Sequence, residues 1–326
     1  MSHAEEGAPA EAFGAPSRRL VLGTGAACLG MAPLVAWGET SPAPKDNGIA
    51  AATDASQHLT VQVQIDGKGP FRFVVDTGAD RTVIADDVAT ALGLPHGRQV
   101  LVEGILRTVP ADTVQIGAMA FGPFTLANFA APVLSRASLQ ADGYLGLDAV
   151  GRGRVTLDFK GGRLLVEEPR PSFAANIVPP NEARVKVLGS QGHLRSVDCG
   201  VDGVVAAAFV DTGAEVSVGN SALFRALVDD HGALFEPGVV PLSGVTGGEI
   251  DGRVTRAGRV RLKGFEFTTA EIVIADIQIF DLWGLAERPA LLIGMNYLRS
   301  FSSVSIDYGL KELRFDFASL LVASRA

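Results

Sequence analysis

Cysteine is nearly absent from this chain: Cys28 and Cys199 are the only two among 326 residues. Once the amino-terminal segment discussed below is removed, Cys199 stands alone, and no intrachain disulfide can form. Clusters of lysine and arginine are also missing and the formal charge is −8, so no nucleic-acid partner is expected. The five histidines (His3, His58, His96, His193 and His231) lack metal-ligand spacing, and no His-Glu-x-x-His occurs. They read as solvated or capping residues, and neither a metal nor a cofactor is expected. No Gly-x-Ser-x-Gly elbow exists, and Cys199 has no recognisable partner, so it reads as a buried thiol rather than a nucleophile. The glycines between Gly146 and Gly153 come without the Lys-Ser/Thr of a phosphate loop and read as a turn.

What is present is ordinary globular material, 47% hydrophobic and 20% charged, enough for one large domain or two modest ones. Glycine is abundant at 38 residues, and the apolar segments are short, valine-rich and often alternating, which predicts a β-rich fold with tight turns. Residues 1–38 read as an export signal. Ser17-Arg18-Arg19-Leu20-Val21-Leu22 resembles the twin-arginine pattern, an apolar stretch follows to Trp37, and Ala36-Trp37-Gly38 offers small residues for cleavage before Glu39. That stretch is short and mildly apolar for a membrane span, and an uncleaved anchor is the alternative. Glu5, Glu6 and Glu11 depart from a strongly basic leader, which leaves the twin-arginine and general export routes both open. The expected location is the bacterial periplasm or the periplasmic face of the membrane, with residues 39–56 as a flexible leader.

The remainder is a diverged tandem repeat. Leu59–Ile65, a turn at Asp66–Gly69 and Phe71–Val75 run into Asp76-Thr77-Gly78-Ala79; Val201-Asp202-Gly203 and Val204–Val210 run into Asp211-Thr212-Gly213-Ala214. Short helical patterns follow at 85–92 and 220–228, then glycine-bearing turns near Gly104 and Gly244. Each half next presents two apolar residues and a glycine, Tyr144-Leu145-Gly146-Leu147-Asp148 and Leu292-Ile293-Gly294-Met295-Asn296. Each closes on a matching strand, Val155–Phe159 and Val304–Tyr308. The halves stand 135 residues apart at the Asp and 148 at the Gly, so the second half carries an insertion, with Asp276–Arg288 and the flap region as candidates. The expected lobes are 57–168 and 183–326, joined by a Pro-rich linker at 169–182.

Two Asp-Thr-Gly loops supply two carboxylates able to meet on an internal two-fold axis. Two carboxyl groups in one site cannot both ionise cheaply, so one proton is held between them and their titration belongs to the pair. Asp76 and Asp211 are therefore the candidate catalytic residues. Thr77 and Thr212 would lock the loops together, and Gly78, Ala79, Gly213 and Ala214 would allow close approach. Leu145, Gly146, Ile293 and Gly294 would support the loops from beneath, while Gly104 and Gly244 mark candidate flaps over an extended substrate. Asp158 and Asp307, placed alike in the two halves, read as structural.

The run Asp76-Thr77-Gly78-Ala79-Asp80-Arg81-Thr82-Val83-Ile84, with Tyr144-Leu145-Gly146, resembles the retropepsin-like aspartyl proteases, including exported bacterial members. Asp211-Thr212-Gly213-Ala214-Glu215 with Leu292-Ile293-Gly294-Met295 resembles the same family, and the likeness spans roughly Leu59 to Phe317. Retroviral members are homodimers giving one such Asp per subunit, so the resemblance implies a chain carrying both halves. It implies an all-β, bilobal acid-protease-like fold with a cleft between the lobes and a few short helices. It also implies an aspartic endopeptidase that acts on extended polypeptide as a monomer. Two other readings stay open: a non-hydrolytic peptide-binding module using the same cleft, and sites formed between lobes of two chains.

Overall fold

The computed structural model describes residues 48–150, 153–167, 181–188, 195–262 and 265–317. The export-signal segment 1–38 lies outside them, as does most of the 169–182 linker. The protein is mostly β, 53% strand and 14% helix, arranged as two six-stranded barrel-like lobes.

In the first lobe β1 (Gly48–Thr53), β2 (Leu59–Ile65) and β3 (Lys68–Val75) pair antiparallel in turn. β4 (Val83–Ala85) leads into helix α1 (Asp86–Leu92), and β5 (Val100–Glu103) and β6 (Thr108–Ala111) form a separate hairpin. β7 (Thr113–Phe121) and β8 (Phe124–Leu134) pair antiparallel, followed by α2 (Arg136–Leu139), β9 (Gly143–Leu145) and α3 (Leu147–Val150). β10 (Arg154–Asp158) and β11 (Arg163–Glu167) end the lobe.

The second lobe repeats this plan. It opens with β12 (Glu182–Leu188), β13 (Arg195–Val201), β14 (Val204–Val210) and β15 (Val218–Gly219), then helix α4 (Ser221–His231). β16 (Val240–Ser243) and β17 (Glu249–Leu262) make the matching hairpin, and β18 (Phe265–Ile274) follows. After α5 (Gln278–Leu282) come β19 (Ala290–Ile293), α6 (Met295–Leu298), β20 (Ser303–Asp307) and β21 (Glu312–Asp316).

The local causes are visible in the pattern. β2 alternates, so Val61, Val63 and Ile65 are buried while Gln62 and Gln64 face water. The last three residues of β3, Phe73-Val74-Val75, are all buried because β2 pairs along one edge and β9 runs parallel along the other. β14 and β19 repeat that parallel pairing, with Val210 beside Ile293. Asn220 caps α4 through Leu223 N (2.9 Å). Its amide also holds the carbonyls of Leu285 and Arg288 (2.8 and 2.7 Å), tying the 276–288 segment to the helix.

Beneath both lobes β1, β11, β10, β20, β21 and β12 form one antiparallel sheet in that order. Its central pair is β10 and β20, the equivalent strands of the two repeats. Thr156 lies opposite its repeat-mate Ser305 with the hydroxyls 2.8 Å apart, so the pseudo-two-fold axis passes between them. Two residues along, the guanidinium of Arg154 grips the fully buried carboxylate of Asp307 at 3.0 and 3.1 Å.

Two expectations need correction and a third is extended. The 39–56 segment is not wholly a flexible leader, because Gly48–Thr53 is strand β1, bridging the lower sheet and β2. The run after Gly146 is not simply a turn, since Leu147–Val150 is helical. The extra length of the second half lies partly in the expected 276–288 segment, where 15 residues separate β18 from β19 against 8 between β8 and β9, and partly in helix α4, with 11 residues against 7 in α1.

Candidate active site

β3 and β14 each end in an Asp-Thr-Gly loop, and the parallel neighbours β9 and β19 hold those ends in place. Asp76 N donates to Leu145 O (3.1 Å) and Asp211 N to Ile293 O (3.0 Å). On the far side of each loop, Leu147 N donates to Ala79 O (2.9 Å) and Met295 N to Ala214 O (2.8 Å). Gly146 N donates to Thr82 Oγ1 (3.1 Å), and Gly294 N to Ser217 Oγ (2.9 Å). Those hydroxyls in turn donate to Asp148 and to Asn296, each at 2.7 Å. Asn296 is thus not a loss relative to Asp148, because its amide oxygen offers the same acceptor.

The two loops cross. Thr212 Oγ1 accepts from Thr77 N (3.0 Å), donates to Val75 O (2.9 Å) and lies 3.1 Å from Thr77 Oγ1, with both threonines buried. Each glycine lies against the opposite carboxyl. A Cβ on Gly213 would stand 2.7 Å from Asp76 Cγ, and one on Gly78 would stand 2.9 Å from Asp211 Oδ1. Only a residue without a side chain fits either place. Thr212→Val keeps the shape but orphans a buried N–H and a buried carbonyl, so it is expected to cost about 2–4 kcal/mol. Thr212→Ser should cost under about 1 kcal/mol, since it keeps the oxygen. Urea unfolding of the two variants checks this; equal stability would show that the crossing bonds carry little.

Asp76 Oδ1 accepts from Gly78 N (2.8 Å) and Ala79 N (3.2 Å), while Asp211 Oδ1 accepts from Gly213 N (2.8 Å). The two carboxyl groups also hydrogen-bond to each other. Burial pushes Asp76 up to about 8, and the charge of Asp211 adds to the rise. Burial raises Asp211 as well, offset by the Gly213 N–H, by the bond from Asp76 and by the charge of His58. Both carboxyls are therefore raised, one proton is shared between them, and the titration belongs to the pair.

The aspartyl protease family model matches the chain twice, over residues 61–149 and 197–297, one match per lobe. The chain belongs to the aspartyl protease family. No match was found among curated proteins. The doubled match places each Asp-Thr-Gly loop of this aspartyl protease-family chain inside one of the two matched regions.

Gly104 and Gly244 lie in the turns of the β5–β6 and β16–β17 hairpins, and the two tips meet. Arg107 Nε donates to Thr246 O (2.9 Å), and Thr246 Oγ1 donates back to Arg107 O (2.8 Å). Leu106 packs on the apolar cluster of Phe209, Leu242 and Phe280 in the second lobe, and Val245 packs on the core of the first. Ile279 N at the start of α5 donates to Ile105 O (3.2 Å), docking the first hairpin on the second lobe.

Sequence reasoning missed several groups around the carboxyl pair. Tyr308, from the end of β20, donates its hydroxyl to Thr77 O (3.2 Å) and so ties the lower sheet to the first loop. His58 is not solvated: it is 7% exposed, and Asp54 accepts from its backbone N–H (2.8 Å) and lies 3.2 Å from Nδ1. No single-residue pattern marks Arg107 or Thr246, because their pairing exists only once the lobes face each other. Cys199 is a buried thiol pushed up to about 12 by burial, which leaves it inert at neutral pH. Among the described residues no group of three or more His, Cys, Asp or Glu side chains is placed to hold a metal.

Proposed function

We propose that this chain is an aspartic endopeptidase in which Asp76 and Asp211 activate a water against a peptide carbonyl. The observation that supports the reading is the crossing of the two Asp-Thr-Gly loops, which brings the two carboxyl groups side by side. Asp211 takes a proton from the water as its oxygen attacks the carbonyl carbon. Asp76 donates its hydrogen bond to the developing oxyanion, stabilising charge where it forms. Asp211 then passes the proton it took from water to the leaving nitrogen, the C–N bond breaks as the oxyanion collapses to a carbonyl, and Asp211 is left ionised and Asp76 protonated as at the start. Paired carboxyls of this kind in aspartic proteases are a worked example in general enzymology.

The two hairpins act as flaps on an extended polypeptide, excluding water and offering backbone groups to the substrate. Arg107→Ala removes one of the two reciprocal tip bonds and is expected to lower kcat/KM by about 3–10-fold, the worth of one hydrogen bond. The loss should fall mainly on KM, since the chemistry is untouched. Steady-state kinetics decide this, and an unchanged KM would mean the tips do not hold the closed form. We further place the working enzyme outside the cytoplasm, on the twin-arginine-like Ser17–Leu22 run, as a monomer because one chain supplies both loops.

The test of the function is cleavage of an unfolded polypeptide by the full chain, with and without a transition-state analogue that carries a hydroxyl in place of the tetrahedral carbon. Cleavage blocked by the analogue is expected. Peptide binding with no cleavage under any pH would favour the non-hydrolytic module instead. Cleavage that persists in the Asp76→Asn/Asp211→Asn double variant would remove the assignment.

A further inference from the structure

The two repeats differ at a position that touches the loops. Phe159 and Tyr308 are the residues that follow β10 and β20, at the same 149-residue offset as Thr156 and Ser305 on the axis. Their backbones are exchanged by that axis. Phe159 N donates to Ser302 O (2.9 Å) and Tyr308 N to Gly153 O (3.3 Å), and Gly153 and Ser302 are themselves repeat-mates. Both rings pack against the cores of both lobes, yet only Tyr308 carries a hydroxyl. That hydroxyl begins a chain of bonds ending on a carboxyl. Tyr308 Oη donates to Thr77 O (3.2 Å), and the same peptide unit donates through Gly78 N to Asp76 Oδ1 (2.8 Å). Donation to the oxygen of an amide polarises the unit and makes its N–H the stronger donor. A stronger donor aimed at a carboxyl favours the ionised form. The second loop has the last link, Gly213 N to Asp211 Oδ1 (2.8 Å), but Phe159 has no hydroxyl to offer the carbonyl of Thr212.

We propose that Tyr308 is a positioning residue of the carboxyl pair: through the Thr77–Gly78 peptide its hydroxyl strengthens the bond to Asp76 Oδ1 and makes that carboxyl easier to ionise, on the first loop alone. The inference rests on the two-carboxyl reading above and deepens it by naming a group outside the loops that tunes the pair. The bond acts where it has most to offset, since burial and the charge of Asp211 push Asp76 up to about 8. Burial pushes the phenol up as well, so it stays neutral and serves as a donor, not as an acid or a base. The other ionisable groups around the pair are Asp80 in the first loop, Tyr144 on β9, His58 with Asp54 ahead of β2, and Arg299 after α6. Exchanging one neutral ring for another at position 308 adds or removes no charge among them.

The experiment is a carbon-13 NMR titration of the aspartate carboxyls in the full-length chain, assigned with Asp76→Asn and Asp211→Asn. Tyr308→Phe removes the hydroxyl, keeps the ring and makes the position match Phe159. The sum of the two midpoints of the pair is expected to rise by about 0.2–0.6 pH unit, the size of a 10–30% weakening of one charge-assisted hydrogen bond. The sum is the quantity to read because it does not depend on which carboxyl carries the shared proton. The basic limb of kcat/KM should move up in the same variant. A ring that merely packs would instead lower the rate at every pH and leave the limb in place. 3-Fluorotyrosine at position 308 keeps the shape and is the stronger donor, so it should lower the sum, and it carries the test should Tyr308→Phe fail to fold. An unmoved sum in either folded variant overturns the proposal. Because the titration needs no turnover, a chain that cleaves nothing yet shows these shifts would sink the peptidase reading alone. A chain that cleaves with its midpoints unmoved would sink only the role of Tyr308.

Discussion

Asp76→Asn and Asp211→Asn are each expected to lower kcat by about 10³-fold or more, the range for removing a positioned acid or base. The two losses should not add. The acid and the base act on one water and one carbonyl, so the double variant should be no worse than the poorer single one by more than about tenfold. Their effects on stability should separate them from ordinary core damage. Asp76 titrates at about 8 in the folded chain against about 4 when unfolded, so between those values the folded state keeps a proton that the unfolded state has lost. Stability is therefore lost as pH rises through that window. Asp76→Asn removes the share of that dependence that Asp76 supplies, Asp211 being raised by burial as well, and its thermal midpoint at pH 8 should exceed that of the unaltered chain while its activity has vanished. Activity of the unaltered enzyme should itself fall as pH rises through about 8, where Asp76 ionises. A single-Asn variant that keeps a tenth of the activity would break the two-carboxyl mechanism, whatever its stability.

The parts of the fold legible in the sequence were those specified by short, repeated patterns. The alternation of Leu59–Ile65 announces a half-buried strand, and Asp-Thr-Gly after an apolar run announces a loop at its end. Recurrence of the same order after 135 residues is what turned a common turn motif into a candidate site. The pieces that escaped depend on long-range register. Gly48–Thr53 is an alanine-rich stretch with no alternation, and it is a strand only because Leu164 and Thr60 lie on either side of it. Arg107 and Thr246 meet at 139 residues' separation, and neither is remarkable in its own neighbourhood. His58 is the instructive case. A lone histidine ahead of a strand reads as solvated, and the signal that could have found it was its own repetition at His193.

Arg154→Met is expected to cost about 3–5 kcal/mol, because it leaves the fully buried Asp307 carboxylate without its cation. The guanidinium makes two bonds to one carboxylate oxygen, while the other oxygen accepts from Leu310 N at 2.8 Å. Removing the arginine therefore strips one oxygen of both its charged donors and leaves only the turn. Asp307→Asn in the same background removes the charge yet keeps an acceptor for Leu310 N, so the double variant should recover at least half of the loss. Urea unfolding of the two variants beside the unaltered chain measures this, and a loss below about 1 kcal/mol for Arg154→Met would show that the pair contributes no more than a surface ion pair does. The cost reaches beyond stability because of where the pair lies. Arg154 and Asp307 join β10 to β20, two residues along from the contact of Thr156 with Ser305 that marks the axis. Tyr308, the next residue after Asp307, carries the hydroxyl bonded to Thr77 O. A shift of β20 against β10 is thus passed in one step to the first Asp-Thr-Gly loop, whose partner loop it meets through bonds of about 3 Å. Arg154→Met that remains folded should consequently lose activity at temperatures well below its unfolding midpoint, with Asp307→Asn restoring both together.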